Sequence, residues 1–131
     1  MTSVPDQCPF CEIDPARTIM RYPLTATLRD GYPVTLGHAL VVPNRHVASL
    51  FELPTDELQA VWATVAALRR QLAQELGVAS FNIGINDGAD AGQTVGHAHV
   101  HVIPRRAGDV ADPRGGVRWV VPDHAAWWVT R

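Results

Sequence analysis

Residues 97–103 read His-Ala-His-Val-His-Val-Ile, an alternation that only a β-strand can use. Successive side chains of a strand point to opposite faces, so His97, His99 and His101 share one side and Ala98, Val100 and Val102 the other. The apolar set belongs against a core, and the histidine set belongs against solvent, a metal or a bound anion. The strand is expected over residues 97–104, ended by Pro104.

The layer that covers the apolar set is also legible. Leu58, Val61, Trp62, Val65, Leu68, Leu72 and Leu76 recur at three- and four-residue intervals, the stripe of an amphipathic helix over residues 55–76. Thr55 is the expected N-cap, Asp56 and Glu57 suit the positive end, and Gly77 stops the helix. Trp62 lies on the stripe and is read as core. Further strands are expected at 17–22 and 24–30, interrupted by Pro23 and closed by an Asp-Gly-Tyr-Pro turn, then at 38–43 and 79–87. In the last of these Phe81, Ile83 and Ile85 share a side. "DGADAGQTV" is a glycine-rich loop, and "VRWVVP" in the tail reads as a short strand. The fold class is therefore α+β: an antiparallel sheet with one long helix packed on it.

The chain has 131 residues, 47% hydrophobic and 18% charged, the composition of one globular domain over 1–131 rather than a disordered chain. A net charge of −2 gives no broad footprint for DNA or RNA and no membrane-surface patch. No apolar run approaches the roughly 18–20 residues that span a bilayer. "MTSVPDQCPFCEIDP" has neither a basic start nor an apolar stretch, so no signal peptide is expected and a cytoplasmic location is.

The candidate chemistry begins with the two cysteines, Cys8 and Cys11. A pair so close does not brace a fold, and its alternatives are metal ligation, redox chemistry or unremarkable thiols. A redox pair would sit at the end of a strand and open a helix, and nothing before Cys8 reads as a strand. Among the histidines, two at i and i+2 readily share one ion, but His97 and His101 lie roughly 13 Å apart at about 3.3 Å per residue. Zinc–nitrogen bonds of about 2.0–2.1 Å do not bridge that span, so at least one histidine has other work. A neutral imidazole can act as a general acid or base, or as a nucleophile at acyl or phosphoryl centres. The loop just upstream offers backbone N–H groups with Asn86, Gln93 and Thr94, a set suited to phosphate.

"GQTVGHAHVHVIPR" resembles the signature of the histidine triad family, three histidines separated by apolar residues, at every position. The continuation "PRRAGD" is similar to the fragile-histidine-triad branch, which hydrolyses dinucleoside polyphosphates. The resemblance covers residues 8–109 and leaves the tail 110–131 unassigned. It implies a purine nucleotide substrate cleaved at the α-phosphate, with His99 as nucleophile through a covalent nucleotidyl-histidine and His101 on the α-phosphate oxygens. It further implies that Asn86, Gln93 and Thr94 contact phosphate or leaving group, and that Asp30 grips the ribose hydroxyls. In zinc-bearing relatives two cysteines and two histidines form a site, which places Cys8, Cys11, His46 and His97 on a structural zinc. Homodimers are common in the family, and catalytic need for a divalent cation is left open.

Phe10, Ile19 and Leu28 are candidates for the floor of the base pocket, with no choice between adenine and guanine. His38 is given no step beyond packing, and His124 is read as exposed. Trp119, Trp127 and Trp128 belong to a core or an interface. Arg105, Arg106, Arg114 and Arg118 either reach a polyphosphate or form a solvated cluster. Competing readings are a nucleoside phosphoramidase, a nucleotidyl transferase, a nucleotide-binding module with incidental catalysis, and a purely structural zinc protein. The second and third triad histidines would be superfluous in the last.

Overall fold

The structure is a computed structural model and describes residues 7–129. Five strands form one antiparallel sheet in the order β1-β2-β3-β5-β4: β1 (Thr18–Arg21), β2 (Thr25–Arg29), β3 (Ala39–Pro43), β4 (Ser80–Gly84) and β5 (Val100–Arg105). Helix α1 (Thr55–Leu76) lies across one face, and a short helix α2 (Pro122–Ala125) ends the tail.

Val100 and Val102 of β5, with Ala98, pack with Ala39 and Val41 against Val61, Val65, Leu68 and Leu72 of α1. This is the apolar layer that the alternation requires. The helix spans the expected residues, but its start differs. Pro54 is the N-cap residue, its carbonyl accepting from the Leu58 N–H, and no side chain caps the end. Thr55 is already inside the helix. The side-chain cap sits one turn earlier, where Ser49 and Glu52 form a capping box on a 3-10 turn (Leu50–Glu52). At the other end Gly77 is left-handed, φ 66°, and closes on the Ala73 carbonyl.

Trp62 is not core; it is 43% exposed. At about 100° of rotation per residue it stands roughly a quarter turn from the line through Val61, Val65, Leu68 and Leu72. The interval pattern admitted it and the angular position excludes it. One polar pair is set into this layer. Thr64 donates to the Ala60 carbonyl at 2.7 Å, which leaves the Thr25 hydroxyl to donate to Thr64 Oγ1, also at 2.7 Å.

The opposite face of the sheet is covered too. Cys8, Phe10 and Ile13 from the N-terminal segment pack with Ala26, Leu28, Leu40 and Val42. Ile19 packs against the helix side instead, so only Phe10 and Leu28 of the three base-pocket candidates lie on the histidine face. β5 begins at Val100 rather than His97 and runs through Pro104 to Arg105. Pro104 is tolerated because pairing with β3 ends at Val102 and only β4 continues alongside. β4 is shorter than 79–87, and Phe81 and Ile85 reach the helix-side core while Ile83 is exposed at the sheet edge. "VRWVVP" is not a strand: Gly116–Val120 form a 3-10 turn that packs on α2, after Gly115 at φ 90°. Trp119 and Trp127 are both exposed.

Candidate active site and metal centre

β5 and the residues before it carry the histidines, and each imidazole is oriented by a different partner. His97 is fully buried, on the side of the metal-ligand reading rather than the solvent one. Its Nε2–H donates to the Pro43 carbonyl at 2.8 Å, so the lone pair is on Nδ1. That lone pair faces Cys8 Sγ at 3.4 Å, Cys11 Sγ at 3.5 Å and His46 Nδ1 at 3.2 Å, and Cys11 Sγ lies 3.2 Å from His46 Nδ1. All four donor atoms lie within 4.8 Å of one another. A tetrahedron with bonds of about 2.0–2.3 Å has edges of about 3.3–3.8 Å, and these spacings match it. Two thiols and two imidazoles with inward lone pairs therefore fit a closed four-coordinate ion. The carbonyl on His97 is the outer contact that holds a ligating ring in orientation. Burial and the neighbouring Cys8 push the Cys11 thiol up to about 11, and burial holds the His97 imidazole below its ordinary pKa.

His99 is 9% exposed. Its Nδ1–H donates to the His97 carbonyl at 3.0 Å, and a carbonyl can only accept, so in the neutral ring Nε2 carries the free lone pair. Phe10 stands edge-on to this ring with centroids 5.0 Å apart, and His101 is 5.0 Å away on the other side. The N-terminal segment thus reaches both centres, the metal set through its cysteines and His99 through Phe10.

His101 is ordered by His38, which sequence alone marks only for packing. The Val34 N–H donates to His38 Nδ1 at 3.1 Å, which puts the His38 proton on Nε2. That Nε2–H points at His101 Nδ1, 3.0 Å away, with Asp30 Oδ2 at 3.4 Å beside it. His101 Nδ1 is then an acceptor, and Nε2–H remains as an outward donor. Burial, then His99 and His38, push the His101 imidazole down to about 4, against the opposing pull of Asp30. Burial likewise lowers His38. Both rings are neutral at pH 7. Asp30, His38 and His101 also lie within metal-ligating distance of one another. Binding an ion at His38 Nε2 would move its proton to Nδ1 and against the Val34 N–H, so this cluster is a hydrogen-bond relay. His38 could have been found from sequence only by knowing that β3 pairs with β5, which sets Leu40 opposite His101.

The remaining expected site residues divide. Asp30 sits beside the two histidines, its Oδ1 accepting from the Tyr32 N–H. Asn86 lines a cleft that also contains His101. Thr94 is exposed in its loop. The Gln93 amide is committed to the backbone, donating to the carbonyls of Ala48 and Val95 and accepting from the Gly88 N–H. The four arginines are similarly engaged: Arg105 with Asp109 and Asn82, Arg106 with the Leu36 carbonyl, Arg114 with Asp112 and the Trp128 ring, and Arg118 with the carbonyls of Ala125 and His124.

Comparison with known proteins bears on this geometry. The chain is 37% identical over 97 residues to the asymmetrical bis(5′-nucleosyl)-tetraphosphatase of Schizosaccharomyces pombe, covering 74% of this chain and 53% of that protein. It is 35% identical over 98 residues to the bifunctional bis(5′-adenosyl)-triphosphatase/adenylylsulfatase FHIT of Arabidopsis thaliana, covering 75% and 54%. The chain thus spans about half the length of these two relatives. Among solved structures, a zinc-bound histidine triad family protein from Mycobacterium smegmatis superposes with a TM-score of 0.68 at 36% identity, covering 83% of this chain and 82% of that one. The model of the HIT domain matches residues 12–108, which takes in the sheet, α1 and all three triad histidines. On that match, the chain belongs to the HIT family.

Proposed function

We propose that this protein is a nucleotidyl hydrolase that cleaves dinucleoside polyphosphates or related nucleotide conjugates at the α-phosphate, releasing a nucleoside monophosphate. One observation carries the reading: the His99 Nδ1–H is tied to the His97 carbonyl, so the Nε2 lone pair is held ready for attack. Nε2 attacks the α-phosphorus, the P–N bond forms, and the bond to the leaving group breaks with its electron pair. Water then attacks the same phosphorus, the P–N bond breaks with its electron pair returning to Nε2, the water's extra proton passes to solvent, and the monophosphate leaves with His99 restored. His101, donor-only toward the site through Nε2–H, holds a non-bridging oxygen as charge builds on it. The ribose hydroxyls are assigned to Asp30, as the family resemblance implies. Asn86 and Thr94 face the phosphates or leaving group, and Gln93 acts by fixing their loop, given that its amide is spent on the backbone.

Zinc on Cys8, Cys11, His46 and His97 is the second part of the reading, supported by the donor spacing and by the zinc-bound relative. All four positions come from protein, so the ion's role is to tie the N-terminal segment to β5. Among the described residues no helix is long and apolar enough to cross a membrane. A single domain, a homodimer and a cytoplasmic location complete the reading, with no nucleic acid or membrane as partner.

The test is AMP release from diadenosine tetraphosphate and from adenosine 5′-phosphoramidate by wild type and His99→Ala, with intact-protein mass spectrometry after an acid-free quench. The expected result is release by wild type, an AMP-sized adduct that requires His99, and at least about a 100-fold loss in the variant. Tight nucleotide binding without release would replace the hydrolase with a binding module.

A further inference from the structure

His99 is held from three sides, and only one of them is a hydrogen bond. The donation from Nδ1–H to the His97 carbonyl fixes which nitrogen is free, but one bond leaves the imidazole able to swing about it. Two rings bound that swing. His101 stands with its centroid 5.0 Å away and its plane at 69°, and Phe10 at 5.0 Å and 61°. Both are the tilted, edge-to-face pairs that aromatic rings favour. His101 is fixed in turn by His38. Phe10 is therefore the wall whose own support decides how closely the nucleophile is aimed.

That support comes from the metal-ligating set. Phe10 lies between Cys8 and Cys11, whose sulfurs stand 3.4 Å and 3.5 Å from His97 Nδ1. The Glu12 N–H closes a turn on the Cys8 carbonyl at 3.1 Å, with Phe10 at its middle. The same ring meets His97 at 5.9 Å and 90°. One short stretch thus carries two donors for an ion and the ring that backs His99. Residues 8–13 belong to no strand or helix, so side-chain packing and the two cysteines hold this turn to the sheet. Phe10 is 7% exposed and Leu28 fully buried, so neither presents a face to a nucleotide base. The contacts of Phe10 point inward, to the two histidines.

We infer that Phe10 is a positioning residue for His99 and that it couples the metal centre to the nucleophile: a filled Cys8, Cys11, His46 and His97 set holds the Phe10 ring against the imidazole, and loss of the ion lets it withdraw. This rests on the hydrolase and zinc readings above. Phe10 touches no reacting atom, so its loss acts on kcat and leaves KM. An edge-to-face ring pair is worth roughly two- to twelve-fold in an equilibrium beyond the area it buries, which sets the size of the effect. The competing route runs through His97 itself, a ligand at Nδ1 whose carbonyl holds His99. Removing the Phe10 ring separates the two.

The experiment follows the His99 ring C–H signals by NMR, assigned by their absence in His99→Gln, in zinc-loaded and chelated protein. In wild type, chelation is expected to move these signals and to weaken the nuclear Overhauser contact between the Phe10 and His99 rings. In Phe10→Leu, with its zinc content checked by mass spectrometry, chelation should move them by less than about half as much. Equal movement in both proteins assigns the coupling to the His97 carbonyl and overturns the inference, as does protein that binds no zinc. The wild-type contact needs no substitution, so its persistence after chelation overturns the inference even if Phe10→Leu does not fold. Kinetics of AMP release from diadenosine tetraphosphate give the second reading. Phe10→Leu is expected to lower kcat about five-fold with KM within about two-fold, and Phe10→Tyr, which keeps the ring, to recover most of the loss. A loss carried by KM, or no loss, overturns the positioning role. If wild type releases no AMP, the hydrolase reading fails while the NMR comparison still decides whether Phe10 links the two centres.

Discussion

His99 and His101 are two residues apart, yet opposite nitrogens serve as acceptors because one ring is tied to a carbonyl and the other to a neighbouring imidazole. The chain of donors from Val34 through His38 to His101 implies that His38 works by fixing a tautomer. Replacing it by Phe is expected to lower kcat for AMP release by about 10- to 100-fold with KM within about three-fold, read by steady-state kinetics. Asparagine, which can offer an N–H to His101, should recover part of the loss. That His99 and His101 share a face is legible in the sequence because alternation alone sets it, while the steps proposed for them come through resemblance to a family. His38 was not legible, since nothing local to Gly37-His38 says which strand lies alongside. Trp62 and Thr55 misled for the reverse reason: each satisfied a local rule that the three-dimensional angle or the preceding proline set aside.

At the scale of elements, α1 was readable to the residue because its stripe and its terminal glycine agree. Gly77→Ala tests the second signal by itself. A Cβ there would meet nothing within 4 Å, so the cost is conformational and should be about 1–2 kcal/mol by urea denaturation. Leu68→Ala, at the buried centre of the stripe, should cost about 3 kcal/mol in the same assay. The tail defeated the sequence reading because β-branched residues and tryptophan favour strands by propensity, while this segment closes on itself through Gly115 and Arg118 instead. The covering of the second face by Cys8, Phe10 and Ile13 was hidden as well, because no periodicity marks an irregular segment.

For the whole molecule, the buried imidazoles make stability depend on pH. His101 is held at about 4 in the fold and has an ordinary value near 6.5 when unfolded, and burial lowers His38 and His97 in the same direction. Between those values the unfolded chain binds more protons, so stability is full above about pH 6.5 and is lost as pH falls toward 4. Thermal melts from pH 7 to 4 should show that decline, and His101→Asn should make it shallower. Metal removal acts on the same scale. Cys8→Ser, or exhaustive chelation, should release zinc measurable by mass spectrometry and lower Tm by several degrees, the equivalent of 1 kcal/mol or more in a domain of this size. Zinc-free protein with an unchanged melt would remove the ion from the account.

The tail's bonds also bear on how such a protein can diversify. Trp119 to Arg114, Arg118 to His124 and Ala125, and Arg114 to Asp112 and Trp128 all begin and end inside one contiguous stretch of chain. The sheet that carries His99 and His101 is finished before that stretch begins, at Arg105. Exchange of that one segment would therefore leave every triad histidine and its hydrogen-bond partner in place, so the tail is free to vary at little risk to the sheet.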